Sequence, residues 1–329
     1  MLAGDDRIAG LDIGGTKLAV VLSNARGDVL AKRSEPTRAK EGPEAVIAQL
    51  LAMLEALLLD QGMWMQGLEG IGIACGGPLN SKTGIIYSPP NLPGWNAVPL
   101  KELVENATRL PVIVENDANA GALAELRFGN NPKIRNLVYM TMSTGIGGGI
   151  VLDGRIYHGA SDLAGEVGHQ VVMPDGPECK CGKRGCLEAI CSGPSIARRA
   201  RQHAAAEDTL MLELAGNDLE SITSVHVFAA ARAGDSLASR IVDETAYYMG
   251  IGIANIMQTL NPEVVRIGTI AVRNGDFFLA PLRRYVRQNT WPSIFEVCRI
   301  EAASLGESVG DLAAVATFLE RQWELTGTD

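Results

Sequence analysis

The sequence predicts an α/β protein built as two lobes, with a duplicated core of β-sheet and helices. The chain has 329 residues, which is too long for one ordinary hydrophobic core and suits two lobes. Short runs rich in Ile, Val and Leu alternate with amphipathic helical stretches. Two glycine-rich hairpins of the same design, over residues 7–22 and 136–152, indicate that the architecture is repeated.

The composition excludes several classes of protein. With 47% hydrophobic residues and 37 glycines, the chain is globular and rich in turns. Its 29 basic and 38 acidic residues give a net charge of −9, which argues against nucleic-acid binding. No apolar run reaches membrane-spanning length, and the acidic N-terminal stretch does not fit a signal peptide. We therefore expect a cytoplasmic protein whose six cysteines are metal ligands or free thiols.

The first hairpin has the composition of a phosphate-binding turn. Residues 14–17 (GGTK) join two apolar runs, and their glycines let backbone N–H groups approach an anion. Thr16 and Lys17 add a hydroxyl and a cation, and Asp12 is placed to hold a hydrated Mg²⁺. The pattern is not a Walker A loop, because Thr16 stands where that motif needs Lys. An ordinary tight hairpin is the alternative.

The elements that follow are predicted from periodicity and turn signals. A third strand is expected after the turn at Gly27-Asp28, and Pro43 then opens a helix. The apolar stripe of this helix, which predicts core packing, comprises Val46, Leu50, Met53, Leu54 and Leu57. Buried strands are expected over 71–75 and 111–115, and a short helix over 99–107.

Two polar positions lie where such elements end. Asn91 belongs to a rigid loop with three prolines, where a ligand contact and an Asx-turn cap are both plausible. Asp117 follows a strand and opens a helix, so its carboxylate is held rigidly at a cleft and suits a general base. An N-cap role for Asn116 or Asp117 fits the same place, and the residues alone favour the cap.

A cluster of cysteines follows the second hairpin. Cys179, Cys181 and Cys186, with His169 upstream, supply the three thiols and one imidazole of a tetrahedral structural zinc site. Three unpaired cysteines and a core histidine are the alternative. Glu166 and Glu188 bracket the group, and carboxylates fixed in this way are suited to bind sugar hydroxyls. The other cysteines, Cys75, Cys191 and Cys298, have no metal-like spacing and are predicted to be small buried hydrophobes.

The C-terminal part is predicted to be mainly helical. A helix is expected over 195–203, and a long one from Asp235 through Leu260. A strand over 263–267 leads into the turn at 268–271. The last stretch, from Ser308 to Gln322, reads as an amphipathic helix that packs back on the first lobe.

Taken together, these motifs resemble those of the ROK family of bacterial sugar kinases, a branch of the actin/hexokinase-like phosphotransferases. The matching stretches are LDIGGTK at 11–17, PNLPGW at 90–95, ENDANA at 115–120, STGIGGGI at 143–150, AGEVGH at 164–169 and CKCGKRGCLEA at 179–189. The resemblance implies a two-lobed actin-like (ribonuclease H-like) ATPase fold. It implies an N-terminal lobe of residues 1–119 and 307–329, and a C-terminal lobe of residues 120–306.

The resemblance also implies roles for residues in an ATP-dependent phosphorylation of a hexose 6-hydroxyl. Asp117 would be the general base, as phosphoryl transfer requires at the attacking oxygen. The sugar would be bound by Asn91, Asn116, Asp117, Glu166, His169 and Glu188. ATP and Mg²⁺ would be held by Asp12, Gly14, Gly15, Thr16, Lys17, Thr144, Gly145, Gly147 and Gly268. Structural Zn²⁺ would be held by His169, Cys179, Cys181 and Cys186.

The sequence departs from the family pattern at three places. Thr269 and Ile270 stand where relatives have consecutive glycines facing the adenosine, and Ser143 replaces a glycine of the second hairpin. Both changes bear on nucleotide affinity and donor choice. Asp162 replaces a glycine of the sugar-side loop. Gly250 and Gly252, inside the long helix, indicate close packing or approach of the adenine ring.

Several functions remain open at this point. Glucose is the expected substrate, and N-acetylmannosamine, N-acetylglucosamine, mannose and fructose are alternatives, because the two glutamates do not distinguish them. A sugar-responsive repressor needs a helix-turn-helix domain, for which we expect no room before Asp12. A sugar binder that has lost ATP use is a third possibility. The resemblance suggests a homodimer or homotetramer, with neither nucleic acid nor membrane as a partner.

Overall fold

The structure, a computed structural model, describes residues 3–131 and 133–326, with side chains described as far as Glu320. These residues form two compact units. The first comprises the described residues up to Lys133, Gly149–Ala164 and those from Glu307 onward. The second comprises Ile134–Gly148 and Gly165–Gly306. Both units combine strands with helices, so the predicted α/β class is confirmed.

The strands are short and mostly buried. In chain order they are β1 (Arg7–Ile13), β2 (Lys17–Asn24), β3 (Val29–Pro36), β4 (Gly70–Cys75), β5 (Leu79–Asn80), β6 (Ile85–Ile86), β7 (Val98–Pro99), β8 (Val112–Asn116), β9 (Leu137–Met140), β10 (Gly148–Leu152), β11 (Arg155–Ile156), β12 (Val264–Ile267) and β13 (Arg299–Ala302). The predicted hairpin over residues 7–22, the strand after Gly27 and the strands near 71–75, 111–115 and 263–267 are all present.

The helices surround these strands. They are α1 (Pro43–Asp60), α2 (Leu100–Thr108), α3 (Asp117–Phe128), α4 (Leu187–Cys191), α5 (Gly193–Ala204), α6 (Leu210–Leu214), α7 (Ser224–Arg232), α8 (Ser236–Leu260), α9 (Ile270–Asn274), α10 (Asp276–Asn289), α11 (Pro292–Val297) and α12 (Val309–Thr326). The whole predicted stripe of α1 is buried. The stretch between 204 and 223, for which no helix was predicted, contains α6, whose N-terminus is capped by Thr209.

The first unit contains a five-stranded sheet in the order β3-β2-β1-β4-β8. Strands β1 and β2 are antiparallel, whereas β4 is parallel to both β1 and β8. Within this register Ile13 pairs with Cys75, and Cys75 pairs with Asn116. The carboxyl ends of three parallel strands therefore lie at one edge, which brings the residues after β1 and β8 together.

Helix α12 packs on the same sheet at unusually short range. A Cβ atom at Gly72 would lie 1.8 Å from the carbonyl oxygen of Ala314, and one at Gly70 would lie 2.2 Å from the Phe318 ring. These contacts explain why β4 carries glycines in a fully buried strand, where glycine otherwise weakens the strand. The expected return of the C-terminal helix to the first lobe is confirmed.

The second unit contains β12 between β9 and β13, to both of which it is parallel. Helix α8 runs through its core. The Asp235 carboxylate caps this helix by accepting the Ala238 N–H at 2.8 Å. Gly250 lies against Tyr285 of α10 and Gly252 against Leu187 of α4, where a Cβ would approach each side chain to 2.7 Å. The close-packing interpretation of both glycines is therefore confirmed.

The units do not follow the lobe boundary expected at residue 119. Helix α3 and the β10–β11 hairpin belong to the first compact unit, because α3 packs against α12 and β8. Residues 120–131 and 149–164 thus lie on the other side of the division from their predicted lobe. The expected boundary near residue 307 coincides with the second return of the chain to the first unit.

Candidate active site and metal cluster

Two carboxylates of the first unit, Asp12 and Asp117, lie at the sheet edge formed by β1, β4 and β8. Burial raises the pKa of Asp12 to about 7, and repulsion by Asp117 adds to the effect. Lys17 and Lys32 oppose the rise, whereas Asp311 reinforces it. A cation bound beside the two carboxylates would offset their mutual repulsion and favour their ionised forms.

Asp117 is the first residue of α3, and Asn116 is its N-cap. The Asn116 Oδ1 accepts the N–H groups of Ala118 and Asn119 at 2.9 and 3.4 Å. The Asp117 Oδ1 accepts the Ala118 N–H at 2.8 Å. The question of which residue caps the helix is thereby answered in favour of Asn116.

The Asp117 side chain keeps access to solvent although protein atoms surround it closely. Desolvation raises the pKa of Asp117 above its ordinary value, against the lowering effect of the backbone hydrogen bond. This solvent access suits a general base, because a base must reach its substrate. A carboxylate with a raised pKa is also a stronger base than an ordinary one.

The first hairpin turn is held from two sides. The Gly14 N–H donates to the Lys17 carbonyl at 3.1 Å, and the Thr37 hydroxyl donates to the Gly14 carbonyl at 2.6 Å. A Cβ on Gly15 would lie 2.5 Å from both the Cβ and the carbonyl oxygen of Asn91. The predicted phosphate turn and the loop of the predicted sugar ligand Asn91 are therefore in contact, while Thr16 and Lys17 stay exposed.

The second hairpin turn is held by a side chain instead. The Ile146 N–H donates to the Glu188 Oε2 at 2.9 Å, and a Cβ on Gly145 would lie 2.6 Å from the same oxygen. The Gly147 N–H donates to the Thr141 hydroxyl at 2.8 Å. Thr144 is exposed at the tip of the turn. Glu188, expected to bind sugar, thus has one carboxylate oxygen engaged with the turn.

The cysteine cluster comes together as the spacing predicted. One ligand atom from each of His169, Cys179, Cys181 and Cys186 lies within 4.8 Å of all the others. The Cys179 Sγ is 3.6 Å from the His169 Nδ1, and the sulfurs of Cys181 and Cys186 are 3.6 Å apart. A four-ligand N/S set of this size matches the donors and geometry of structural zinc.

The turn that carries the cluster depends on two glycines in the left-handed region. Gly182 has φ +86°, and Gly185 has φ +72°. A Cβ on Gly185 would lie 1.6 Å from the Met173 carbonyl oxygen. The Cys179 N–H donates to the Lys183 carbonyl at 2.8 Å and closes the loop. No larger residue fits position 185, so the loop shape is specified by close packing.

His169 presents its two ring nitrogens to different neighbours. Its Nδ1 faces the Cys179 sulfur, whereas its Nε2 lies 3.8 Å from the Glu166 Oε2. The two roles predicted for this residue, metal ligand and sugar contact, are therefore compatible, because each uses a different nitrogen. The link also connects the cysteine cluster to Glu166.

The turn expected to face the adenosine is strained. Thr269 has φ +38° and ψ −85°, a region that residues with a Cβ rarely adopt. The Ile270 N–H donates to the Met142 carbonyl at 3.1 Å, which fixes the turn beside the second hairpin. Ser143 adopts no such conformation, so Thr269 is the departure on the nucleotide side that has a visible conformational cost.

Sequence reasoning assigned no role to Glu115 or His158. Glu115 is buried, and its carboxylate accepts hydrogen bonds from the Asn116 N–H at 2.8 Å, the Asn119 side-chain amide at 3.0 Å and the His158 Nε2 at 2.7 Å. Asp162, in the left-handed region at φ +58°, accepts the Ser81 hydroxyl at 2.9 Å. A charged residue at the end of an apolar strand was the available signal for Glu115.

The predicted buried cysteines are confirmed. Cys75 and Cys191 are completely inaccessible, and Cys298 is nearly so. Burial raises the pKa of the Cys191 and Cys298 thiols to about 12, so both stay protonated and unreactive at neutral pH. Within the part of the chain that the structure describes, no helix is long and apolar enough to cross a membrane.

Each compact unit contains parallel strands and a glycine-rich turn, and this combination is that of a two-lobed actin-like ATPase fold. The sequence profile of the ROK family matches residues 8–321, and the chain belongs to this family.

Similar proteins cover almost the full length of the chain. A glucokinase from Halalkalibacterium halodurans is 36% identical over 92% of this chain and 91% of its own length. A glucokinase from Thermotoga maritima is 35% identical, with coverages of 96% and 98%. The crystal structure of a ROK family glucokinase from Streptomyces griseus, in complex with glucose and AMPPNP, superposes with a TM-score of 0.82 at 32% identity, covering 96% of this chain and 99% of that one. Other relatives are named N-acetylmannosamine kinase and xylose repressor.

Proposed function

We propose that this protein is a glucokinase, which transfers the γ-phosphoryl group of ATP to the 6-hydroxyl of glucose. The observation that carries the proposal is the pair of Asp12 and Asp117 at one sheet edge, next to a glycine-rich turn. The similarity to glucokinases over nearly the whole chain supports the same reaction.

The residues divide the chemistry of phosphoryl transfer between them. Asp117 takes the proton from the 6-hydroxyl as the oxygen bonds to the γ-phosphorus and ADP leaves. A positioned base of this kind contributes about 10²- to 10⁴-fold to the rate. The backbone N–H groups of the two glycine-rich turns, with Lys17, bind the ATP phosphates. Asn91, Asn116, Glu166 and Glu188 orient the sugar by hydrogen bonds.

Asp12 is the residue placed to hold Mg²⁺. Burial and the neighbouring Asp117 raise the pKa of Asp12, and a bound cation would oppose both effects by stabilising the ionised carboxylate. Bound Mg²⁺ neutralises charge that develops on the transferring phosphoryl group. Asp12 thus links the ATP phosphates to the sheet edge that also carries the base.

The proposal is tested by a coupled assay with glucose, ATP and Mg²⁺. We expect turnover with glucose, and absence of turnover with any hexose or N-acetylhexosamine would reject a sugar kinase. Asp117→Asn keeps the shape of the side chain but cannot accept the proton. We expect a loss of activity of at least about 100-fold, with glucose binding by calorimetry largely retained. An active Asp117→Asn variant would exclude this residue as the base.

N-acetylmannosamine is the second candidate substrate, because kinases of that name match this chain at 35 to 36% identity. Glu166 and Glu188 do not distinguish the two sugars by charge alone. A panel of glucose, N-acetylmannosamine, N-acetylglucosamine, mannose and fructose, compared by kcat/KM, decides the substrate. A preference for an N-acetylhexosamine would change the substrate but not the assigned base.

We further propose that His169, Cys179, Cys181 and Cys186 hold one structural zinc ion. The set supplies four protein ligands, so it has no open position for catalysis. Its expected effect is to fix the loop between Glu166 and Glu188. Metal analysis should find about one zinc per chain, and Cys181→Ser should lose it. Cys191→Ala, which changes a buried cysteine outside the cluster, should retain the metal.

Removal of the zinc is expected to affect glucose binding and ATP binding to different extents. Chelation is expected to weaken glucose binding more than ATP binding, because Glu166 and Glu188 belong to the sugar site in this proposal. The opposite order, measured by calorimetry, would contradict the link between the cluster and the sugar. We also propose a cytoplasmic homodimer or homotetramer, which light scattering of the purified protein measures directly.

A further inference from the structure

The buried Glu115 has no part in the chemistry described so far. Glu115 is 5% exposed, and burying a carboxylate to this extent costs folding free energy unless several donors hydrogen-bond to it. Its Oε1 accepts the Asn116 N–H at 2.8 Å and the Asn119 side-chain amide at 3.0 Å. Its Oε2 accepts from the His158 Nε2 at 2.7 Å. The carboxylate thus spans the first turn of α3 on one side and an imidazole on the other.

The two bonds on Oε1 fix the part of the chain that carries the base. The Asn116 peptide immediately precedes Asp117, and Asn119 lies one turn further along α3. A shift of the Glu115 carboxylate would therefore move the Asn116 peptide and the start of the helix together. Misplacement of a catalytic group by about 1 Å is enough to cost about 100-fold in rate.

His158 belongs to a segment that is itself anchored at several points. The Tyr157 N–H donates to the Ile150 carbonyl at 2.7 Å, and the Ala164 N–H donates to the His158 carbonyl at 3.1 Å. The Asp162 carboxylate accepts the Ser81 hydroxyl at 2.9 Å. Two residues after Ala164 the chain reaches Glu166. These contacts hold the segment in place, so the His158 imidazole is a fixed hydrogen-bond partner for the Glu115 carboxylate.

We propose that His158 is a positioning residue of the reaction: its hydrogen bond to Glu115 holds the Asn116 peptide and the first turn of α3, and thereby the Asp117 carboxylate, in the geometry that accepts the substrate proton. A carboxylate can only accept, so the imidazole donates from Nε2. The same hydrogen bond connects β8, the strand before Asp117, to the segment that precedes Glu166 in the chain. This inference rests on the proposed kinase function, because it takes Asp117 as the base.

The test compares two side chains of similar length at position 158. Glutamine retains an N–H donor near the place of the imidazole Nε2, whereas methionine fills similar space without a donor. We expect H158M to lower kcat by about 10- to 100-fold, with KM for sugar and ATP changed less than about threefold. We expect H158Q to recover at least about a third of the wild-type kcat, which a role in packing alone does not predict.

A double-mutant cycle checks that the effect passes through Glu115. E115M and H158M remove the two ends of one interaction, so the double variant should be no slower than E115M alone. Multiplication of the two losses would overturn the proposal. So would an H158M kcat within about twofold of wild type, or equal losses in H158M and H158Q. If H158M is insoluble, H158N replaces it, because its shorter side chain cannot reach Glu115.

The outcomes for His158 and for the kinase function are distinguishable. Absence of sugar phosphorylation by the wild-type protein would defeat the proposed function itself. An active wild-type protein with an equally active H158M variant would defeat only the role of His158. Circular dichroism of each variant establishes that the comparison is made between folded proteins.

Discussion

The two glycine-rich hairpins look alike in sequence but are held in place by different kinds of contact. The first turn packs against backbone: Gly15 leaves no room for a Cβ beside Asn91. At the second turn a Cβ on Gly145 would meet the carboxylate end of Glu188, which accepts the Ile146 N–H, and the Gly193 N–H donates to the Ser143 carbonyl at 2.8 Å. The first turn directly follows the strand that carries Asp12, whereas the second precedes in the chain the segment that carries the cysteine cluster.

This difference teaches how a repeated motif acquires two roles. A turn that packs against backbone tolerates little movement, which suits the side on which Asp12 and Asp117 are proposed to act. The carboxylate that the second turn contacts belongs to Glu188, which is also a predicted sugar ligand. The second turn is thus expected to respond to sugar, and the first is expected to be rigid.

The largest expected effect comes from Asp12→Asn on the first hairpin. Loss of the carboxylate that holds Mg²⁺ should lower kcat by more than about 100-fold, because metal stabilisation of the phosphoryl group supplies several kcal/mol. Glu69→Gln, an exposed change just before β4, is the matched control. Retention of Mg²⁺-dependent activity in Asp12→Asn would remove the distinction between the hairpins.

The same variant should be more stable than wild type at high pH. The pKa of Asp12 is raised from 3.8 to about 7 on folding, so the folded protein binds this proton more tightly than the unfolded chain. The stability this gives is complete below pH 3.8 and is lost as pH rises through 7. The Asp12→Asn variant has no such carboxylate to ionise and does not lose stability in this way. Without Mg²⁺, the difference in Tm between Asp12→Asn and wild type should therefore favour the variant more at pH 8 than at pH 5.

A smaller effect is expected from adding one methyl group to each hairpin. Neither Gly15 nor Gly145 has a positive φ, so alanine differs only in the space it needs. Gly15→Ala meets the rigid backbone of Asn91 and should cost about 1–3 kcal/mol by overpacking. Gly145→Ala displaces only the end of Glu188 and should cost about 1 kcal/mol or less. Equal losses of Tm would show that the two turns are held alike.

The smallest effect is expected beside the second hairpin, at Thr269. Replacement by glycine relieves an unfavourable φ of +38°, worth about 1–2 kcal/mol. The greater freedom of glycine in the unfolded chain offsets about 0.5–1 kcal/mol of this gain. Thr269→Gly should therefore raise Tm slightly and lower KM for ATP. Thr269→Ala, which keeps the Cβ, is the control and should leave Tm lower than in Thr269→Gly.

Much of the fold was predictable because its signals are local. The β1–β2 hairpin follows from two apolar runs around Gly14 and Gly15, and α8 follows from its Asp235 cap and the proline after Leu260. The cysteine cluster followed from spacing within one short segment. The lobe boundary did not follow from local sequence. Helix α3 belongs to the first unit because it packs against α12, which lies much later in the chain.

The sequence by itself determined the elements, the two turns and the residues able to bind metal or phosphate, since each depends on near neighbours in the chain. Only the tertiary structure decided which of them interact. Ala314 explains why residue 72 is glycine, burial and then Asp117 raise the pKa of Asp12, and His158 provides a hydrogen bond to the buried Glu115. In each case the partner is distant in sequence, and contact range and electrostatic effects depend on separation in space.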